Sequence, residues 1–166
     1  MATVVESIAA EFRDEVPAIR RVLERVPGDK LAWKPHPKSR SLGELASHIA
    51  NIPGMADKIV NYDEFSPTFP PSRPPATAEE IRAAFEQNAK QAEEVLGQLT
   101  EQKAAGEWRF VFQGKELFRK PRAAALRTNM LNHLYHHRGQ MSVYLRLLEV
   151  AVPVVYGPTA DENPFA

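Results

Sequence analysis

The sequence predicts an all-α domain: a four-helix bundle with one long proline-rich crossover and space for a short hairpin before the last helix. Three observations predict it. Apolar residues recur at steps of three and four in four separate stretches, the period of one helix face. Two of those stretches open on a Ser or Thr followed three residues later by Glu, the spacing of a capping box. Between the second and third stretches, residues 66–76 hold Pro67, Pro70, Pro71, Pro74 and Pro75, too many for a helix or a central strand. The flanking sequence is too short for separate domains, so this segment reads as a stiff crossover inside one domain spanning residues 1–166.

The first helix places Val5, Ile8, Phe12, Val16, Ile19, Leu23 and Val26 on one face. Pro17 is expected to kink or break it, because proline supplies no N–H to the ladder. Val26-Pro27-Gly28-Asp29 ends it. The loop Trp33-Lys34-Pro35-His36-Pro37 is extended, since residues before proline avoid the helical region. The second helix opens at Ser41-Leu42-Gly43-Glu44 and turns Leu45, His48, Ile52, Met55 and Ile59 inward, with a bend expected at Pro53. The third starts at Thr77-Ala78-Glu79-Glu80 and carries Ile81, Phe85, Asn88, Ala92, Val95 and Leu99. From Trp108 to Phe118 the period changes. Trp108, Phe110 and Phe112 alternate and Gln113-Gly114 can turn, which fits a short hairpin or an irregular aromatic loop equally well. Pro121 suits the first turn of the fourth helix, which runs to about Val150. Its inward stripe is Leu126, Met130, His133, His137, Met141, Tyr144 and Leu148, and residues 152–162 follow as a non-helical tail.

Composition narrows the function classes. Lys and Arg number 21 and Asp and Glu number 21, so the basic excess that drives binding to phosphate backbones is missing. No nucleic-acid partner is expected. No apolar run approaches the ~20 residues of a membrane span, so no membrane partner is expected either. Cysteine is absent, which removes disulfides, thiolate metal sites and cysteine nucleophiles together. The start Met1-Ala2-Thr3-Val4-Val5-Glu6 lacks the basic start and apolar core of a signal peptide, so a cytoplasmic location is expected.

The chemistry concentrates in the histidines. His133-Leu134-Tyr135-His136-His137 puts His133 and His137 four residues apart, on one helix face, where two imidazoles can reach one metal ion. Both occupy inward slots beside Met130 and Met141, and burying two imidazoles without partners would cost several kcal/mol. His48 takes an inward slot on a different helix. Three neutral imidazoles leave a coordination position open for water or substrate, as in reactive zinc-type sites. Zinc and nickel lead among the divalent ions, with iron and manganese also compatible with imidazole. His136 offers a competing spacing of three to His133, but its strip includes Asn129, Asn132 and Gln140. His136 and Gln140 are therefore placed at the rim of the site or behind the ligands. Asn88 could hydrogen-bond a ligand or a metal-bound water, or equally cap a neighbouring helix or hold a structural water. His36, between prolines, is expected to be solvated. Gly139 is expected to permit a close helix contact, and Arg138 to make an ion pair or a subunit contact. No His-Glu-x-x-His, glycine-rich phosphate loop or Gly-x-Ser-x-Gly elbow is present.

The segments Ser41-Leu42-Gly43-Glu44-Leu45-Ala46-Ser47-His48-Ile49-Ala50 and Asn132-His133-Leu134-Tyr135-His136-His137-Arg138-Gly139-Gln140, with the tail from Pro153 to Glu162, resemble the DinB (DinB/YfiT-like) family. The resemblance covers nearly the whole chain. It implies a four-helix bundle, commonly a homodimer, holding one divalent metal through His48, His133 and His137. It also implies relatives that are transferases using low-molecular-weight thiols such as bacillithiol or mycothiol. The family name records induction by DNA damage and does not imply DNA binding. The expected function is thus a divalent-metal protein, as a thiol-dependent S-transferase or a hydrolase of unknown substrate. The alternative is a metal-binding stress-response bundle without turnover.

Overall fold

The computed structural model describes residues 2–68 and 77–165. The order of elements is α1 (Val4–Glu24), α2 (Leu42–Asn51), α3 (Met55–Asn61), β1 (Glu64–Phe65), α4 (Ala78–Gly97), α5 (Glu101–Ala105), β2 (Glu107–Phe112), β3 (Lys115–Pro121), α6 (Arg122–Leu126) and α7 (Asn132–Leu147). The protein is mainly helical and carries a small three-stranded sheet, which corrects the all-α expectation. Of the proline-rich crossover, Pro67 is described and Pro70, Pro71, Pro74 and Pro75 lie outside the described residues.

Helices α1 and α2 each pack against both α4 and α7. Their shared core is built from Ile8, Phe12, Ile19, Leu45, Ile49, Phe85, Leu126, Met130, Leu134 and Met141, all nearly or wholly removed from solvent. Both expected capping boxes form. Ser41 and Glu44 exchange side-chain and backbone bonds at the start of α2, as do Thr77 and Glu80 at α4. The two preceding carbonyls of Trp33 and Leu31 also accept from Leu42 and Gly43, at 2.9 Å each. Gly43 is required there, since a Cβ would lie 3.1 Å from the Leu31 carbonyl oxygen and from its Cβ. The N-terminal half of α2 is thereby held on all sides.

Proline acts differently at its two helical positions. Pro17 lies inside an unbroken α1, against the expected kink or break. Pro17 and Arg13 both face solvent, so the Arg13 carbonyl that loses its helical donor can be satisfied by water. Phe12, Val16 and Ile19 stay buried across the gap. Pro53, by contrast, turns the expected bend into a break: a 3₁₀ turn, Ile52–Gly54, separates α2 from α3.

The aromatic segment forms the hairpin. Gln113 and Gly114 both have positive φ, as a two-residue turn between twisted antiparallel strands demands, and Phe112 pairs with Lys115. A bulge interrupts the ladder between Phe110 and Val111. Strand β1, which the sequence reading missed, adds in parallel to β2 through Glu64↔Arg109 and Phe65↔Phe110. Trp108 is fully buried and donates to the Lys58 carbonyl at 3.0 Å. Arg122, also buried, donates to Asp63 at 2.6 Å and to the carbonyls of Tyr62 and Glu107, riveting the sheet to the helices. Helix α5 was likewise not foreseen. The last helical stretch is not continuous either: a π turn, Arg127–Leu131, joins α6 to α7, and Pro121 closes β3 as the residue before α6.

The tail after α7 is non-helical, as expected, and is tied down by charge. Asp161 accepts from the Val152 N–H at 2.8 Å and pairs with Arg146, while Glu162 accepts from Val154 and pairs with Arg25. Tyr156 donates to Glu15 at 2.6 Å, and its ring lies 4.5 Å from the Arg138 guanidinium. Arg138 makes the expected ion pair, with Glu15 of α1, and both are buried. Truncating one partner of a buried pair strands the other charge, so Arg138→Met should cost about 3–5 kcal/mol in urea denaturation. Combining it with Glu15→Leu should return most of that loss, because no unpaired charge is then left inside.

Candidate metal centre

His48 projects from the middle of α2, and His133 and His137 project from successive turns of α7. The π turn ends two residues before His133, and such insertions re-aim the side chains that follow them. The three rings converge. His48 Nε2 and His133 Nε2 lie 3.1 Å apart, and ring centroids are separated by 4.5 Å (His48–His137), 4.7 Å (His133–His137) and 4.9 Å (His48–His133). One nitrogen from each ring can be chosen so that all three lie within 4.8 Å of one another. These residues could hold a metal ion.

Two of the imidazoles are aimed by groups outside the cluster. His137 Nδ1 donates to Gln140 Oε1 at 2.7 Å, which leaves Nε2 unprotonated and available. His133 bonds to the backbone of Asn129, inside the π turn. The His48 ring meets His133 at the Nε2 atoms. The Ser47 carbonyl accepts from Asn51 at 2.7 Å.

All three rings are half-buried and favour the neutral form. Burial pushes His48 down to about 3, with further depression from the positive charge of Arg40 and from His137 and His133. His133 is lowered by burial first and His137 next, against the opposing bond to Asn129. His137 is lowered by burial, which outweighs the bond to Gln140. The donor set fits a divalent ion of intermediate softness. Two nitrogens each about 2.1 Å from one ion would lie about 3.0 Å apart at a right angle and about 3.4 Å at a tetrahedral one, and the observed 3.1 Å falls between.

The structure separates the remaining candidates. Gln140 accepts from His137. His136 is exposed on the outer side of α7 with its ring 4.8 Å from His137, outside the cluster. Asn88 resolves toward helix capping. Its amide donates to the Ala50 carbonyl at 3.0 Å and to Asn51 Oδ1 at 3.2 Å, at the break Pro53 creates, and not to an imidazole. His36 is exposed in its loop. Among the described residues Gly139 serves no close contact: a Cβ there would meet nothing within 4 Å.

Beside His48 and His133 opens a cavity of about 510 Å³, bounded by the α2–α3 break, the sheet and the π turn. The sequence reading did not foresee it. Its sheet wall comes from the aromatic alternation noted above, but only the fold brings that alternation to the histidines.

A mainly helical domain with three convergent imidazoles on two helices, and an open cavity against two of them, defines a class of candidate metal proteins. A family model described as DinB family matches residues 1–163, and the chain belongs to that family. Among solved structures it is similar to a DinB-like protein from Bacillus cereus, at 24% identity and TM-score 0.72 over 91% of this chain and 97% of that one. It is also similar to a DinB-like protein from Bacillus subtilis, at 19% identity and TM-score 0.69 over 90% and 96%. No curated protein matches the sequence.

The depressed imidazoles make stability depend on pH. As pH falls below about 6.5 the unfolded chain protonates these histidines while the folded chain resists, so stability is present above that value and lost below it. Thermal melts in chelator should show Tm falling between pH 6.5 and 5, above the carboxylate range. His48→Gln should flatten that slope.

Proposed function

We propose that the protein binds one divalent metal ion through His48, His133 and His137, and that the ion serves chemistry instead of holding the fold. The observation that carries this reading is the convergence of three neutral imidazoles at the wall of a cavity large enough for a small organic molecule. A zinc or nickel ion is the first choice for such donors, with iron and manganese next. When bound, the ion would supply Lewis acidity, lowering the pKa of a coordinated water or thiol.

The chain's own residues hold and orient. Gln140 fixes the His137 tautomer, and Asn129 holds the His133 ring. No Asp or Glu stands among the described residues lining the cavity, so no carboxylate is placed there as a general base. That favours a nucleophile acidified by the ion itself, such as a low-molecular-weight thiol in an S-transfer reaction, over hydrolysis assisted by a carboxylate. The chain has no cysteine, so the thiol would arrive as a cosubstrate. The family resemblance points the same way. A cytoplasmic location accords with that reading, and among the described residues no helix is long and apolar enough to cross a membrane.

We also read the outer face of α7 as a homodimer seam in a four-helix-bundle protein. Gly139 leaves open space there, and Val143 and Leu147, on the same face, are 58% and 56% exposed. Val143→Lys should shift the sedimentation coefficient to that of a monomer.

The metal assignment is tested by elemental analysis. One ion per chain is expected in the wild type and in His36→Ala and His136→Ala, with stoichiometric metal lost in His48→Ala, His133→Ala and His137→Ala. Chelation should leave a helical apoprotein with a lower Tm, because the core is built without the ion. Each tenfold excess of free metal over Kd adds about 1.4 kcal/mol. Equal metal content in all five variants would remove the site assignment, and unfolding on chelation would make the metal structural.

A further inference from the structure

We propose that Arg40 recognises a carboxylate on the molecule that meets the ion held by His48, His133 and His137. The ligand of the site is then an organic acid with a metal-seeking donor, a mercaptocarboxylate where that donor is a thiol. The proposal rests on the metal reading and adds to it the residue that selects the ligand.

The chain builds Arg40 into the frame that carries the histidines. It directly precedes Ser41, whose side chain caps α2 and whose N–H donates to Glu44 at 2.6 Å. The Arg40 carbonyl accepts from the Tyr144 hydroxyl at 3.2 Å, and the Tyr144 ring meets Trp33 edge-on at 5.7 Å. Tyr144 follows His137 by two turns of α7, on the same face. Arg40 is thus tied at once to both helices that supply imidazoles. The residue is exposed, yet its positive charge lowers all three rings, and on His48 it is the strongest charge acting.

No carboxylate of the protein answers that charge. Arg20, Arg25, Arg109, Arg119, Arg127 and Arg146 each hold an acid, whereas Arg40 has no such partner among the described residues. Glu44, the acid closest to it along the chain, is taken by Ser41 and Lys34. Arg13 is also without an acid, but it faces solvent on α1 and its charge does not act on the histidines.

Three neutral imidazoles leave a divalent ion with its full charge, and no Asp or Glu is among the groups shifting the rings. Ion and guanidinium then repel each other across the site. A ligand that brings negative charge between them removes the repulsion, and a guanidinium presents the two-pronged N–H fork that matches a carboxylate. Lys120 is the competing cation. It donates to Thr128 Oγ1 at 3.2 Å and lies 4.4 Å from the Phe118 ring centre, and both of those residues line the cavity. Its charge is not among those acting on the histidines, so the selecting role falls to Arg40.

The test uses the full chain loaded with cobalt, a divalent ion that imidazoles accept and whose absorption reports its ligands. Two thiols of matched length serve as probes: 3-mercaptopropionate carries a carboxylate, and 3-mercapto-1-propanol carries a hydroxyl. The wild type should bind the acid about tenfold more tightly than the alcohol, read from the thiolate-to-cobalt band. Arg40→Gln should remove that preference by weakening the acid alone, and Arg40→Lys should keep part of it. Arg13→Gln and Lys120→Gln should keep all of it, with helical circular dichroism unchanged in every variant. Without thiol, Arg40→Gln should hold cobalt more tightly than the wild type, because a repelling charge is gone; a purely structural residue would not do this. No cobalt uptake by the wild type would remove the metal reading and this proposal together. Normal cobalt uptake with no band from the acid, equal affinity for both thiols, a preference kept in Arg40→Gln or lost in Lys120→Gln would overturn the Arg40 assignment and leave the metal reading standing.

Discussion

Three imidazoles drawn half out of water between two helices impose the constraint on which the rest of the structure depends. A neutral imidazole carries one donor and one acceptor, and both must be answered once solvent is withdrawn. The protein answers the far nitrogens with local groups, Gln140 for His137 and the Asn129 backbone for His133. The near nitrogens of His48 and His133 are left facing each other at 3.1 Å. That arrangement works only if α2 and α7 keep their relative depth and rotation. The fixtures around them serve this end: the double cap and the Leu31 and Trp33 carbonyls at the start of α2, and Tyr144, whose hydroxyl donates to the Arg40 carbonyl at 3.2 Å while its ring meets Trp33 edge-on. On the opposite side of α7, Arg138 buried against Glu15 ties the same helix to α1. A buried pair of this kind adds little net stability, but it has one geometry, and so it specifies register.

The cavity follows from two interruptions of helical order that flank the histidines. Pro53 ends α2 after Asn51, and the 3₁₀ turn swings α3 away. The π turn sits at the matching level of the last helical stretch, just before His133. Continuous helices would pack side chain into groove here, as they do elsewhere in the core. Instead the chain leaves a space and lays the hairpin and β1 across it, with Arg122 and Trp108 as the rivets. The sheet is too small to fold alone. Its contribution is an aromatic wall for the site.

How much of this was legible in the sequence depends on whether the signal was local. The capping boxes are short-range patterns with one physical meaning and both form, the helical spacing brings His48, His133 and His137 together, and of the two readings open at Gln113-Gly114 the fold takes the hairpin. Gln140 was placed near the site through the same helical spacing. Pro17 misled because local propensity was outweighed by the burial of Phe12, Val16 and Ile19 around a proline that faces solvent. The π turn was not foreseen, because the stripe through Leu126, Met130 and His133 reads in the sequence as one continuous helix. Strand β1 is two residues long and exists only because β2 lies beside it. Asn88 sat on the predicted inward stripe, yet the break at Pro53 created a carbonyl in need of a donor before any ligand could claim it.

The same distinction explains why chemistry could be assigned to the histidines while the cavity beside them could not be foreseen. Ligands to one ion must be close and must carry particular atoms, so a few positions on two helices suffice to mark them. A substrate surface is defined by what surrounds an empty volume, and most of that is negative information. Trp108, Phe110 and Phe112 alternate in the sequence, but a hairpin and an irregular aromatic loop fit that segment equally well. Only in the folded chain does Arg119 turn to Glu107 and Glu116 and Arg122 to Asp63, while Lys120 reaches Thr128 at the cavity wall. The wall of the site is thus set by where the fold lays the hairpin as much as by the aromatic residues the hairpin carries.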